Sequence, residues 1–380
     1  MKRTLRIVAV GLRGIPNIQG GIETHVAELY PRLARLGVQT TVVGRSRFRP
    51  AETPATWRGV RLHWLWSPRR SGLEAAVHAI LSVLYAALRR PDIIHVHAIG
   101  PAIAVPLARL LGLRVVFTHH GQDYRREKWG ATARWILRRG ERWGINCSHA
   151  RIAVSSTLRD QLEADFARAV AFIPNGMAEI ERITDQSLIL RFGLEPQRFV
   201  IQVSRLVPEK RQLDLIEAFQ QARLEGWKLV LVGDGQGAAG YAQLVQQAAA
   251  GNPSIVCTGA LPAPAVYQLL SHAGSFVLPS SHEGLPIALL EAVRLQVPAL
   301  ASDIPGNREI GLNPEAYFAV GDIDALTRKL RTLAGAAGGQ RLTAARYGAI
   351  GARYDWDQIA LATLAVMEKA ALTPEVTPAQ

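Results

Sequence analysis

The stretch Ser275–Arg294 reads SFVLPSSHEGLPIALLEAVR and passes from a short apolar run through a polar loop into a helical pattern. Its first four residues, Ser275–Leu278, predict a buried strand. Pro286 follows the loop and stands where a first helical position favours proline. The N–H groups at the start of a helix have no partner within it, so those near Gly284 and Leu285 can bind a phosphate. The stretch is therefore typical of a parallel α/β sheet with an anion site where a strand leads into a helix.

The same alternation of apolar runs and helical patterns extends along the whole chain. Near-continuous apolar runs separated by helices are typical of parallel strands that are buried on both faces. With right-handed crossovers, each half of the chain then forms a doubly wound sheet. The other predicted strands are Leu5–Val10, Gln39–Val43, Asp92–His97, Arg114–Thr118, Arg151–Val154, Val170–Ile173, Phe199–Val203, Lys228–Val232, Ser254–Thr258 and Pro298–Ala301.

A chain of 380 residues is too long for one ordinary core, so we expect two domains. The breaker triplet Pro174-Asn175-Gly176 directly follows a predicted strand and marks the boundary. We predict a first domain at residues 1–175, a second at residues 176–354, and a last helix at about 355–372. Two such domains that face each other bring the carboxyl ends of both sheets to one cleft, where these sheets bind ligands.

Composition restricts the class of protein. With 48% hydrophobic and 20% charged residues, the chain is globular, and its net charge of +13 is carried mostly by arginine. Such a charge suits a phosphate-bearing ligand, an anionic membrane or nucleic acid, and it is equally compatible with a basic surface that only maintains solubility. Cys147 and Cys257 form neither a disulfide framework nor a metal-ligand spacing. Arg6 interrupts the first apolar run, so that run predicts a strand instead of a secretion signal, and the reducing cytoplasm is the expected compartment.

The segment Gly72–Leu88 is mostly apolar and lies between two pairs of arginines. It contains Glu74 and His78 and is short for a transmembrane span. Two interpretations remain, a helix buried on a sheet face or a helix that lies on an anionic bilayer. The frequencies of ordinary α/β proteins favour the buried helix.

Three other loops at predicted strand ends could contact a ligand. Gly20 and Gly21 end the first glycine-rich loop and precede a helical pattern, although a plain tight turn explains them equally well. Gly233 and Gly235 likewise allow close approach of the backbone to a ligand, which by itself is a weak signal.

Arg205 and Lys210 lie on the third of these loops, in the segment VSRLVPEK. Two cations at this spacing can both reach one diphosphate and stabilise the charge that develops as it departs. A solvated basic loop is the alternative explanation. The position at a strand end favours the functional one.

Glu283 and Glu291 are eight residues apart, which corresponds to roughly 12 Å if the intervening chain is mostly helical. This is about the distance between the sugar and the ribose of an extended nucleotide-sugar. One carboxylate could hold sugar hydroxyls while the other accepts from the ribose. Two unrelated surface glutamates are the alternative, which the surrounding Gly-Leu-Pro disfavours.

These residues match a known family. Glu283 and Glu291 correspond to the E-x7-E motif of retaining glycosyltransferases, and the context SHEGLPIALLE is similar to glycosyltransferase family 4. The resemblance covers nearly the whole chain and implies the GT-B fold, in which two Rossmann-like domains face a central cleft and the last helix returns to the first domain. Further segments resemble the family in its order: Ile173–Gly176, Ser204–Lys210, Gly233–Gly235 and Ser302–Glu309.

The resemblance also assigns roles. Arg205 and Lys210 would bind the donor diphosphate, and Glu291 would hold the ribose. Glu283, with the backbone of Gly284 and Leu285, would hold the sugar and the adjacent phosphate. The loop glycines Gly20, Gly21, Gly233 and Gly235 are the other candidate donor contacts.

In the first half, Thr118-His-His-Gly121 resembles the family's His-Gly at a strand end, with His120 as the functional match and His119 as a neighbour. A neutral His120 could donate to the transferred sugar or to its leaving oxygen, and a hydrogen-bonded core histidine is the alternative. The segments Gly20–His25 and His120–Gly130 resemble a bacterial polysaccharide-assembly branch of the family. The second of these could line an acceptor site through Tyr124, Arg125 and Lys128, or be a mobile basic loop.

Two Asp-x-Asp patterns, Asp322–Asp324 and Asp355–Asp357, resemble the manganese motif of other glycosyltransferases. Each directly precedes a helical pattern, where aspartate is a favoured cap. We therefore expect neither a metal ion nor a cofactor beyond the nucleotide-sugar.

Together these observations predict a metal-independent, retaining glycosyltransferase of bacterial cell-surface polysaccharide biosynthesis, with a glycan or lipid-linked acceptor. We expect it in the cytoplasm, with an anionic membrane surface as a further partner on the inner face of the plasma membrane. One alternative is an epimerase or a sugar-phosphate-forming enzyme of the same fold, although the Arg-x4-Lys and E-x7-E combination disfavours it. Another is a basic binder of nucleic acid or membrane. No recognised nucleic-acid motif is present, so a nucleic-acid partner is not expected.

Overall fold

The computed structural model of the protein describes residues 4–18, 20–69, 73–122, 124, 130–177, 179–235, 238–335 and 344–372. Its contacts divide the chain into two compact units. Residues up to Gly176 form the first unit together with those from Asp355 onward, and Met177–Tyr354 forms the second.

The first unit is built on an eight-stranded sheet with the order β3-β4-β2-β1-β5-β6-β7-β8. All neighbouring strands pair in parallel except β3 and β4, which form an antiparallel hairpin. The strands are β1 (Arg6–Val10), β2 (Gln39–Arg45), β3 (Thr56–Trp57), β4 (Val60–Leu65), β5 (Ile93–His97), β6 (Val115–His119), β7 (Ala150–Ala153) and β8 (Ala171–Phe172).

Helices cover both faces of this sheet. One face packs against α2 (Leu73–Arg89), α3 (Val105–Leu110), α4 (Ala131–Cys147) and α5 (Ser156–Phe166). The other face packs against α1 (Gly21–Arg35) and α14 (Trp356–Leu372), which also contact each other. The last helix therefore completes the core of the first unit, with Trp356 buried at its start.

The second unit contains a six-stranded, wholly parallel sheet with the order β11-β10-β9-β12-β13-β14. Its strands are β9 (Phe199–Val203), β10 (Lys228–Val232), β11 (Ile255–Gly259), β12 (Ser275–Leu278), β13 (Ala299–Ser302) and β14 (Tyr317–Phe318). Its helices are α6 (Ser187–Arg191), α7 (Gln212–Ala222), α8 (Ala239–Ala249), α9 (Ala263–His272), α10 (Ile287–Arg294), α11 (Pro305–Arg308), α12 (Ile323–Gly335) and α13 (Ala344–Arg353). The strand order reverses direction between β9 and β12, so the loops after these two strands are neighbours at the carboxyl edge.

The structure confirms the predicted α/β class and every predicted strand, with ends that differ by one or two residues at most. It adds β3, β4 and β14, and the antiparallel hairpin corrects the expectation of a wholly parallel first sheet. The first residues of β4 alternate between buried and exposed positions, so this strand lacks the continuous apolar run that marked the others. The strand β14 has only two residues and is too short to show a pattern.

The apolar segment around α2 combines features of both interpretations. Ala79, Val83 and Ala86 are buried in the core beneath the helix, which agrees with a helix packed on a sheet. Leu84 and Leu88 are exposed on another side of the same helix. None of the described helices is both long enough and apolar enough to cross a membrane.

Candidate active site

The loop after β9 is held in place by two buried glutamines, Gln202 and Gln212. The Gln202 amide donates to the carbonyl oxygen of Lys210 (2.8 Å), and the Gln212 amide donates to that of Arg205 (2.8 Å). Both glutamines also donate to the Ser204 hydroxyl. The backbone at both predicted diphosphate-binding cations is therefore fixed by side chains that the sequence analysis did not identify. Their signal in the sequence was the polar Gln202 within the otherwise apolar strand Phe199–Val203.

Lys210 and Glu283, which lie 73 residues apart in the chain, form an ion pair between Nζ and Oε1. Their side chains are 18% and 10% exposed, so water screens the pair only partly. The Ser281 N–H donates to the Glu209 carbonyl at 2.9 Å and aligns the loop after β12 with the turn that contains Lys210. The predicted cation and the predicted sugar-binding carboxylate therefore share one location in the second unit.

Glu291 has separate surroundings from Glu283. It is buried on α10, where the Tyr267 hydroxyl donates to its Oε1 at 3.2 Å. The helix begins at Ile287 with Pro286 as its N-cap, one residue later than the proline pattern predicts. The chain from Glu283 to Pro286 is therefore not helical, and the distance expected for a mostly helical connection does not apply.

The loop at Gly284 is supported by α11. A Cβ atom at Gly306 would lie 2.6 Å from the Glu283 carbonyl oxygen and 2.8 Å from that of Gly284, so only glycine allows this approach. The side chain of Leu285 is buried in the unit. The Asn307 amide donates to Ser302 Oγ at 2.9 Å, and that hydroxyl donates to the Ser280 carbonyl. The start of the loop is thus anchored to β13.

Gly233 and Gly235 are explained by packing within the protein. Gly233 has a φ of +143°, and a Cβ there would lie 1.8 Å from the carbonyl oxygen of Ser204. A Cβ on Gly235 would lie 2.3 Å from that of Ala242. Both glycines therefore let neighbouring loops and helices approach closely, and ligand contact is not needed to account for them.

The two glycines at the start of α1, Gly20 and Gly21, differ from each other. Gly20 is the N-cap with a φ of +153°, and a Cβ there would lie 2.0 Å from a carboxylate oxygen of Glu23. That carboxylate accepts from the Arg13 N–H at 3.0 Å and so stabilises the loop. A Cβ on Gly21 would meet no atom within 4 Å, which leaves room for a ligand beside it.

His119 and His120 lie in different surroundings at the end of β6. His119 is buried; its Nδ1 accepts from the Gly121 N–H, so its Nε2 carries the proton and donates to Glu141 at 2.9 Å. His120 is partly exposed, and its Nε2 lies 3.0 Å from Nδ1 of His97. The geometry favours His120 as the member of the doublet that is available to a ligand.

His120 is the outer end of a chain of hydrogen bonds through the first unit. His97 Nε2 lies 3.1 Å from the Tyr30 hydroxyl, which lies 2.7 Å from His95 Nδ1, and His95 Nε2 lies 2.6 Å from Thr118 Oγ1. We name these five residues, His120, His97, Tyr30, His95 and Thr118, the histidine chain.

All three rings of this chain are kept neutral. Burial lowers the pKa of His95 to about 3, and burial followed by the neighbouring histidines lowers the pKa values of His97 and His120 well below the usual range. A neutral imidazole carries one proton on two nitrogens. The direction of the hydrogen bonds along the chain therefore decides whether His120 Nδ1 presents an N–H or a lone pair.

His25 lies beside the outer end of the chain. Its Nδ1 lies 2.9 Å from the Asn175 side-chain oxygen, and burial lowers its pKa to about 4. His25, His97 and His120 each offer one ring nitrogen, all within 4.8 Å of one another. Within the described part of the chain, this is the group of three side chains that could hold a metal ion.

Of the predicted acceptor residues, only Tyr124 is described. Its hydroxyl donates to Glu141 at 3.4 Å, and Arg138 lies over its ring at 5.4 Å. Arg125 and Lys128 lie outside the described residues.

Both Asp-x-Asp patterns contain a helix cap. Asp322 accepts from the Ala325 N–H and Asp355 accepts from the Gln358 N–H, each at 2.8 Å. Asp357 forms an ion pair with Arg32 at 3.0 Å. These carboxylates are thus engaged in helix starts and in packing, which agrees with their interpretation as caps.

Two family models match the chain. The glycosyl transferase 4-like domain matches residues 20–176, and the glycosyl transferases group 1 domain matches residues 191–336. Together they cover most of the first unit and most of the second.

Several known proteins resemble the chain over different lengths. It is 29% identical to the putative teichuronic acid biosynthesis glycosyltransferase TuaC of Bacillus subtilis over 227 residues, which is 57% of this chain and 54% of TuaC. It is 26% identical to the glycogen synthase of Mycobacterium tuberculosis, over 95% of this chain and 94% of that protein. It is 24% identical to the alpha-maltose-1-phosphate synthase of Mycolicibacterium smegmatis, over 93% of this chain and 96% of the relative. The chain thus spans about half of TuaC and nearly the full length of the other two.

Solved structures share the fold. Sucrose-phosphate synthase from Thermosynechococcus elongatus superposes with a TM-score of 0.80 at 20% identity, covering 96% of this chain and 98% of that one. Anabaena HepE in complex with UDP and glucose gives 0.79 at 18% identity, covering 96% of this chain and all of that one.

Proposed function

Since this chain is a glycosyltransferase of the family 4 type with the GT-B fold, we propose that it transfers a sugar from a nucleotide-sugar to a glycan or lipid-linked acceptor. We further propose that the transfer retains the anomeric configuration. The observation that carries the proposal is the junction of two loops in the second unit, where Lys210 pairs with Glu283 beside the anchored backbone of Arg205.

Each side of this junction suits one part of a nucleotide-sugar. Arg205 and Lys210 bind the diphosphate and stabilise the charge that develops on it as it leaves. Glu283 holds hydroxyls of the transferred sugar and positions it without acting as a covalent nucleophile. Glu291 accepts hydrogen bonds from the ribose. The N–H groups of Gly284 and Leu285 contact the phosphate next to the sugar.

In this proposal the cations and the helix N-termini take the place of a metal ion. Arginine and lysine supply positive charge without a change in coordination when the diphosphate departs. His120 presents a neutral ring to the transferred sugar, and the low pKa that burial gives it supports this role. In the first unit we further propose Gly20 and Gly21 as donor contacts and Tyr124 as an acceptor contact.

The likeness to TuaC, which is named for teichuronic acid biosynthesis, supports a role in bacterial cell-surface polysaccharide biosynthesis. The complexes of Anabaena HepE with UDP and with UDP-glucose support a nucleotide-sugar donor. We place the reaction in the cytoplasm, at the inner face of the plasma membrane.

A thermal-shift screen against UDP-, GDP-, ADP- and dTDP-sugars tests the proposal. A ligand that binds only the folded state raises the unfolding temperature by mass action, so the true donor is expected to stabilise the protein. The screen is run in EDTA, because the proposal requires no metal. If none of the four donor classes stabilised the protein in EDTA but one did so with added Mn²⁺, the metal-free site would be wrong.

A second candidate function is the formation of a sugar phosphate, which the likeness to alpha-maltose-1-phosphate synthase favours. With the donor identified, sugar 1-phosphates are compared with lipid-linked acceptors in transfer assays. Transfer to the sugar phosphate alone would establish the second candidate. Rearrangement of the donor sugar without any acceptor would instead indicate an epimerase.

A further inference from the structure

Exposed hydrophobic side chains are concentrated on three helices of the first unit. Among the described residues, seven of the fourteen large hydrophobic side chains that are exposed lie on α2 and α4 or at the end of α3. The most exposed are Leu88 on α2 (85%), Leu110 on α3 (83%) and Trp135 on α4 (58%). Isolated exposed hydrophobic residues are common, but a concentration on neighbouring elements marks an interaction surface.

The three helices are neighbours on one face of the sheet. The helix α3 contacts both α2 and α4. Val83, Ala108 and Leu137 bury one side of each helix in the same core. We name the exposed sides of these three helices together the three-helix face.

The exposed charges of the three-helix face are all positive. Arg89, Arg134, Arg139 and Arg142 are exposed on α2 and α4. The two acidic side chains of these helices are engaged elsewhere. Glu74 pairs with Arg45 and Arg47, each at 3.1 Å, and Glu141 is buried against His119 at 2.9 Å. Within the described part of these helices, the surface thus combines aliphatic and aromatic groups with arginine and has no exposed carboxylate.

This combination fits the headgroup region of an anionic bilayer. Aliphatic side chains enter the acyl boundary while arginine heads contact lipid phosphates. Tryptophan favours the same interface, and Arg139 lies over the Trp135 ring at 5.1 Å. A second copy of the chain fits less well, because a two-fold contact through this face would place arginines opposite arginines. Nucleic acid would use the arginines but would leave Leu88 and Leu110 unused.

We propose that the three-helix face docks on a bilayer of anionic phospholipid. The inference goes beyond the proposed transfer reaction and names the surface and the lipid chemistry by which the protein reaches a membrane. It does not depend on that reaction, since no residue of the second unit takes part.

Flotation with vesicles tests the proposal. One set of vesicles contains phosphatidylcholine with phosphatidylglycerol, and the other contains phosphatidylcholine alone. We expect the full-length protein to float with the first set only and to dissociate as salt is raised. Replacing the pair Leu84→Gln and Leu88→Gln, or the pair Arg139→Gln and Arg142→Gln, is expected to weaken binding about tenfold.

The matched control is the pair Leu190→Gln and Arg191→Gln on α6 of the second unit. It makes the same chemical changes at exposed positions and is expected to bind the vesicles as the wild type does. All three variants change exposed side chains, so their unfolding temperatures and their stabilisation by the nucleotide-sugar donor should match those of the wild type. This readout separates a failure of the membrane inference from a failure of the proposed function.

Several results would overturn the proposal. Equal binding to both vesicle types would show that the protein does not recognise anionic lipid. An equal loss of binding in the α6 control would show that the three-helix face is not the contact. Conversion of a dimer to a monomer by the leucine pair, without any vesicle binding, would identify a subunit interface. RNA binding that the arginine pair abolishes, again without vesicle binding, would identify a nucleic-acid surface.

Discussion

At the scale of single residues, Lys210 lies at the junction of two loops that carry predicted donor contacts. Its backbone is anchored by Gln202, and its ammonium group is already held beside Glu283. We expect Lys210→Ala to weaken the binding of the cognate nucleoside diphosphate about tenfold or more, because a hydrogen bond to a charged group is worth roughly 1.5–3 kcal/mol. Calorimetric titration measures the effect, with Lys329→Ala on α12 as the control. Unchanged affinity would contradict the assigned role.

Glu283 has a different expected effect, because it pairs with the cation that binds the diphosphate. Glu283→Ala removes the sugar contact but also releases Lys210, so affinity for the nucleoside diphosphate should not fall. The rate of sugar transfer, in contrast to this affinity, should fall strongly. Glu291→Ala, measured beside it, should weaken binding of the nucleotide, because it removes the ribose contact. The opposite pattern would mean that the roles of the two glutamates are reversed.

Tyr30 joins the two halves of the histidine chain by one hydroxyl group. Tyr30→Phe keeps the ring but separates His97 from His95. We expect kcat to fall about tenfold with an unchanged KM for the donor, because the proton position on His120 is no longer set. The pH dependence of kcat should change as well. A loss of thermal stability with an unchanged pH profile would show that the chain is only structural.

At the scale of elements, α11 determines the shape of the loop after β12. We expect Gly306→Ala to push against the carbonyl groups of Glu283 and Gly284, to destabilise the protein by about 1–3 kcal/mol and to weaken donor binding. Gly240→Ala on α8 is the matched control, because its added Cβ meets no atom within 4 Å and alanine favours a helix. Urea unfolding and donor titration check both variants. Donor binding unchanged by Gly306→Ala would show that α11 does not set the loop.

The helix α2 shows how one element serves two environments. The small residues Ala79, Val83 and Ala86 pack on the sheet, while larger residues on another side remain exposed. Burial on a sheet and contact with a bilayer are therefore compatible interpretations of the same sequence.

At the scale of the whole molecule, the buried histidines make stability depend on pH. Burial lowers the pKa of His25 to about 4 and that of His95 to about 3, against an ordinary value of 6.5. Below pH 6.5 the histidines of the unfolded chain bind protons that the same buried histidines do not bind in the folded protein. Stability is therefore fully present above that pH and is lost as the pH falls toward 4, by about 1.4 kcal/mol per pH unit for each such histidine.

Urea unfolding at several pH values across this range measures how steeply the free energy of unfolding changes with pH. We expect the free energy of unfolding of the variant His25→Gln to depend less steeply on pH, by about the contribution of one histidine. This expectation holds whatever the effect of the substitution on stability at neutral pH. His282→Gln, at an exposed position, serves as the control. A slope unchanged by His25→Gln would show that this ring binds its proton equally in the folded and the unfolded protein, so that burial does not lower its pKa.

The sequence by itself determined the α/β class, the strands with continuous apolar runs, and the loops where the candidate ligand groups lie. These features are local, because a buried strand, a helix cap such as Asp322 and a motif such as E-x7-E are each written within a few neighbouring residues. The strand β4 was missed although its residues 60–64 alternate between apolar and polar, a local pattern of a half-exposed strand that differs from the continuous apolar runs of the other strands.

Only the tertiary structure decided which distant side chains meet. Lys210 and Glu283 are 73 residues apart, and Tyr30 lies 65 residues from His95. Such pairs are formed when strand order brings loops together, and no spacing in the chain records that order. The structure also assigned Gly233 to close packing and His119 to a buried hydrogen bond with Glu141. Local pattern selects the residues that can do the chemistry, and long-range packing decides which of them are placed to do it.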